Sequence, residues 1–78
     1  MKESKETIKP RQEGVDELRM LCIRAGFKYD KDIANQIGMS PAVYSNKLKG
    51  RRPFTTDDLI SIGNVIGKSG RYIFTLLY

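Results

Sequence analysis

Residues 32–53, DIANQIGMSPAVYSNKLKGRRP, constrain the fold of this chain more than any other stretch. Ile33, Ala34 and Ile37 mark one side of a short helix. Gly38 stands where that helix must stop and the chain reverse, because glycine takes the left-handed backbone of such a stop at little cost. Ser40 before Pro41 is a good cap ahead of a good first helical residue. The spacing therefore predicts two short helices joined by a tight turn, the second over 41–49. Lys47, Lys49, Arg51 and Arg52 fall between residues 40 and 52, and no acidic residue lies among them. Two helices at a tight turn, with an uncompensated basic run closing the second, form a DNA-binding arrangement.

The flanking sequence builds the rest of a small helical domain. Val15, Leu18, Leu21, Cys22 and Ala25 recur at three- and four-residue intervals and predict a first helix over 12–25, stopped by Gly26. Gly14 weakens its first turn, and Glu13, Asp16 and Glu17 suit its dipole. Phe27 is expected in the core, and Asp30 is the expected cap of the helix that ends at Ile37. Thr55 with Asp58 three residues on is a capping signal for a fourth helix. Leu59, Ile62, Val65 and Ile66 form its buried face, Gly67 ends it, and Gly63 costs it about 1 kcal/mol against alanine.

The tail RYIFTLLY suits a strand by composition, yet Ser69 offers a cap and an isolated strand would lack a partner within the chain. A short fifth helix is the favoured reading. Its apolar residues either cover the core or meet a second subunit, and Tyr72, Phe74, Leu77 and Tyr78 are the candidates for a homodimer contact. Residues 1–11 read as a flexible basic arm. Lys2, Lys5, Lys9 and Arg11 could touch phosphates, although Glu3, Glu6 and Glu13 dilute the charge, and a frayed terminus is the plainer alternative.

Seventy-eight residues allow one domain with one modest core. The net charge of +5 favours an anionic partner, and its clustering after Ser40 favours nucleic acid. A single cysteine and no histidine leave no monomeric disulfide framework and too few soft ligands for structural zinc. Cys22, set among apolar residues, reads as a buried thiol in a cytoplasmic protein. Without histidine, Ser-His and Cys-His pairs cannot form, and the GKSG of residues 67–70 lacks the upstream glycine of a phosphate loop. The expectation is a non-enzyme with no cofactor, no metal and no small-molecule substrate. No apolar run approaches the roughly 20 residues of a membrane span.

At these residues the chain resembles the lambda repressor and Cro type of helix-turn-helix domain, widespread among phage and bacterial regulators. The resemblance covers roughly residues 15–66. It rests on Ile33 and Ala34, then Gly38, Ser40, Tyr44 and Leu48, closed by Gly50 and Pro53. It implies an all-α fold, a compact domain of four to five helices with 12–67 as the DNA-binding unit and 68–78 as an apolar C-terminal element. It also implies a sequence-specific, phage-type repressor acting by operator occupancy, usually as a homodimer on double-stranded DNA. Family members often carry a glutamine at the start of the second helix. Asp30 stands there in this chain, and Lys31 is the substitute phosphate contact.

On the third helix, Ser40, Pro41, Ala42, Ser45 and Asn46 are the expected base-reading residues. Asn46 is the sharpest, because a carboxamide can bond adenine bidentately. Lys31, Lys47, Lys49, Arg51 and Arg52 are assigned to phosphates, which give affinity without sequence information. Tyr44 joins them only if its ring is not fully buried. The alternative function is a protein-interaction module of the same fold, an antirepressor, modulator or antitoxin that binds a partner protein.

Overall fold

In the computed structural model, which describes residues 8–78, the apolar spacing resolves into five α-helices: α1 (Gln12–Arg24), α2 (Asp30–Gln36), α3 (Pro41–Leu48), α4 (Thr56–Ile66) and α5 (Gly70–Leu77). The described residues are all-helical. Helix α5 packs against both α1 and α4, while α2 packs against α3. Their shared core is Val15, Leu18 and Cys22 of α1, Ile33 and Ala34 of α2, Tyr44 and Leu48 of α3, Leu59 and Ile62 of α4, and Ile73 and Leu77 of α5. Phe27 and Phe54 pack against this core from the connecting segments.

The helix ends follow from local chemistry. Helix α2 stops where Gly38 takes φ +76°, and the Met39 N–H then reaches back to the Ala34 carbonyl. The end of α3 repeats the device: Gly50 has φ +85°, its N–H bonds the Lys47 carbonyl, and the Arg51 N–H bonds the Asn46 carbonyl. Ser40, Thr55 and Ser69 each cap the helix that follows, accepting from the N–H of Val43, Asp58 and Tyr72 respectively. The Ser69 cap settles the tail as a helix.

Two boundary readings need correction. The N-cap of α2 is Tyr29, not Asp30; its N–H is held at 3.2 Å by the Asp32 carboxylate, and Asp30 is already helical. Ala25, expected on the buried face of α1, is an exposed C-cap.

The glycines inside helices serve close packing. A Cβ on Gly14 would run into the Leu76 carbonyl, and one on Gly63 into the Lys68 carbonyl. Gly14 therefore does more than weaken a first turn. It lets the backbone at the end of α5 lie directly on α1.

The expected flexible arm 1–11 also needs revision where the structure describes it; residues 1–7 lie outside the described residues. Pro10 is buried, the Arg11 N–H donates to the Leu77 carbonyl at 2.8 Å, and the Arg11 guanidinium donates to the Leu76 carbonyl at 2.8 Å. Arg11 is thus a clasp on the end of α5. Its side chain satisfies a carbonyl that a helix C-terminus leaves unpaired.

Candidate nucleic-acid interface

Helical geometry divides α3 into two sides. Tyr44 and Leu48, one turn apart, face the core at 1% and 5% exposure. At 100° per residue, Ala42, Asn46 and Lys49 point the opposite way. Ser40, Pro41, Ala42 and Lys49 are exposed, and Ser45 and Asn46 are half-buried. Of the expected base-reading residues, Ala42 and Asn46 thus lie opposite the core side, Pro41 and Ser45 lie between the two sides, and Ser40 caps the N-terminal end. The Ser40 Oγ is partly committed, since it accepts the Val43 N–H at 3.2 Å. Its own proton remains to be donated.

The basic residues divide in a way that charge counting missed. Lys49, Arg51 and Arg52 are exposed at the end of α3, and Lys31 is exposed on α2. Lys47 is different. Its side chain is only 12% exposed, and its Nζ is paired with the Asp58 carboxylate, itself 16% exposed. Lys47 lies three residues from Tyr44 and one from Leu48, so the helix turns it toward the core side rather than outward. The assignment of Lys47 to phosphates is corrected: it ties α3 to the first turn of α4. Asp58 also accepts the Thr55 N–H at 2.9 Å. Burial works to raise the Asp58 carboxyl, but the hydrogen bonds from Lys47 and Thr55 outweigh it and hold the group below its ordinary value.

Tyr44 is likewise removed from the phosphate candidates. Its ring is buried and meets Phe54 edge-on, with centroids 6.3 Å apart at 72°. Burial pushes its phenol far above the usual tyrosine range, so it stays neutral.

Asp30, which stands where the resemblance expects a glutamine, is held by Arg19 through two hydrogen bonds of 3.2 Å and 2.9 Å. That bidentate pair sits at the surface and is worth at most about 1 kcal/mol in stability. Its electrostatic effect matters more, because the acid's charge is matched inside the protein. Hydrogen bonding to Asp30 correspondingly raises the Arg19 guanidinium. Lys31 then faces solvent near Tyr29, its Nζ 5.9 Å from that ring, and Lys28 lies 5.8 Å away from the same ring. Lys28 was not among the expected phosphate contacts; its position just before α2 was the available signal.

A second exposed feature lies away from α3. Thr56, Leu59, Ile60, Gly70, Arg71 and Phe74 line a cleft of about 470 Å³ between α4 and α5. Phe74 is 55% exposed beside it, Ile60 44% and Tyr72 40%. Leu77, named among the candidate dimer contacts, is fully buried and is corrected to a core residue, while Tyr78 is half-buried against Phe74.

Among the described residues, no three histidine, cysteine or acidic side chains gather as a metal site, and no helix is long and apolar enough to cross a membrane. Cys22 is buried, and burial pushes its thiol up to about 11. Comparison with known proteins found no matching family model, no matching curated protein and no matching solved structure.

Proposed function

We propose that α2 and α3 form a helix-turn-helix unit that binds double-stranded DNA, with α3 in the major groove. The single observation that carries this reading is the outer surface of α3. Small and polar groups (Ser40, Ala42, Asn46) are presented there beside Lys49, Arg51 and Arg52, and no acidic residue occurs from Gly38 to Thr56. Eight helical residues make a rod of about 12 Å, comparable to the width of the groove it would enter. Lys49, Arg51, Arg52 and Lys31 neutralise phosphates on either side, and Asn46 reads a base edge. The domain acts as a sequence-specific transcriptional regulator of the lambda-repressor-like kind, a phage-type repressor that excludes polymerase from an operator. One such helix reads only a few bases, so the working form is a homodimer on a palindromic site. Phe74, Tyr72 and Tyr78, with Ile60, supply the contact surface.

Selection of binding sites from a random duplex pool tests the reading. A recovered site should lose affinity for the N46A protein by about 1–3 kcal/mol, while random DNA loses little. Equal loss on both would remove Asn46 as a reader.

The apolar cleft between α4 and α5 favours a second reading, a module that docks a partner regulator there. Fold alone does not choose between them. Tight association with a partner protein and no duplex affinity would select the second.

A further inference from the structure

The basic surface at the end of α3 has a contributor from the opposite end of the chain. A Cβ added to Gly50 would lie 2.9 Å from the Lys9 Cα and Cβ and 2.7 Å from its Cγ. Lys9 is therefore seated on the bare backbone that links Lys49 to Arg51. The chain that follows it is anchored: Pro10 is buried next to it, and Arg11 is clasped to the Leu76 and Leu77 carbonyls. Lys9 itself is exposed. The former basic arm thus divides in two, with Arg11 committed to α5 and Lys9 delivered to the α3–α4 loop. Gly50 serves twice, as the left-handed stop of α3 and as the surface on which Lys9 rests.

We propose that Lys9 is a phosphate-binding residue of the duplex interface, continuing the line of Lys49, Arg51 and Arg52 across the end of α3. The inference rests on the reading of α3 as the groove helix. Its backbone is already ordered against Gly50, so its ammonium needs only side-chain ordering to reach a phosphate. A cation held there adds affinity on any sequence, and it adds one released counterion to the salt dependence.

The test is titration of random-sequence duplex at 50 and 200 mM salt with wild type, K9Q, K9R and R51Q/R52Q proteins. The logarithmic salt slope should fall by about 0.9 in K9Q. The same salt increase should therefore cost wild type about 3.5-fold more affinity than it costs K9Q. K9R should keep the wild-type slope. Circular dichroism melts should be unchanged in both, because the side chain is exposed. A K9Q slope equal to wild type, with a flattened R51Q/R52Q slope, would overturn the role of Lys9 and leave duplex binding standing. Absence of duplex binding by wild type at 50 mM would remove both.

Discussion

Replacing Asp58 by asparagine isolates the pair that fixes α3 to α4. Asparagine has the same shape, and its carbonyl oxygen can still accept the Thr55 N–H, so the cap is kept while the charge is lost. A hydrogen bond to a charged group contributes about 1.5–3 kcal/mol, and an exposed ion pair about 0–1 kcal/mol. With side chains 12% and 16% exposed, the Lys47–Asp58 pair lies between these limits, nearer the first. The expected loss at neutral pH is about 1–2 kcal/mol, a fall in melting temperature of roughly 5–15 °C for a domain of this size. Urea unfolding followed by circular dichroism measures it. The pH dependence has a definite sign. Asp58 titrates lower in the folded protein than in the unfolded chain, so its contribution is complete above the unfolded value of about 3.9. It is lost as pH falls through the lower folded value. The gap between wild type and D58N should be flat near neutrality and close in acid. A gap below about 0.3 kcal/mol, or one that persists unchanged in acid, would refute the pair as the tie between the helices.

Four further outcomes are expected. G14A should unfold below wild type, because a Cβ driven against the Leu76 carbonyl puts overpacking at the upper end of about 1–3 kcal/mol, above the roughly 1 kcal/mol gain in helix propensity; a higher melting temperature would mean the contact with Leu76 is easily relieved. L77A should lose about 2–5 kcal/mol as a buried leucine, whereas F74S should keep the fold and shift sedimentation toward monomer; a dimer unaffected by F74S would move the interface elsewhere. Native Cys22, buried with a thiol near 11, should resist aromatic disulfide reagents at pH 8 and react only on unfolding; rapid labelling would contradict its burial. R51Q/R52Q should flatten the salt slope of duplex binding by about 1.8, and an unchanged slope would take both arginines out of the interface.

The parts of this fold that were legible in the sequence are those with a local cause. Gly38, Ser40 and Pro41 fix a stop, a cap and a start within four consecutive residues, so the connection between α2 and α3 could be placed without tertiary information. Ser69 did the same for α5. The face of α5 was harder to read because RYIFTLLY offers almost no polar contrast along its length. Only packing against α1 and α4 sends Leu77 inward and Phe74 outward. Lys47 was misassigned by weighing its charge rather than its place three residues from Tyr44. The Arg19–Asp30 pair joins neighbouring helices α1 and α2, and the approach of Leu76 to Gly14 joins residues far apart in sequence. Neither leaves a local signature, and the seat of Lys9 on Gly50 is hidden for the same reason.

The central claim is that the exposed side of α3 and its flanking cations meet duplex DNA. Titration of the wild-type protein against random-sequence duplex at 50 and 200 mM salt tests it most directly. With Lys9, Lys31, Lys49, Arg51 and Arg52 each neutralising a phosphate, affinity should fall by about five-hundredfold between the two conditions. No measurable binding at 50 mM would contradict the claim and turn attention to a protein partner at the cleft between α4 and α5.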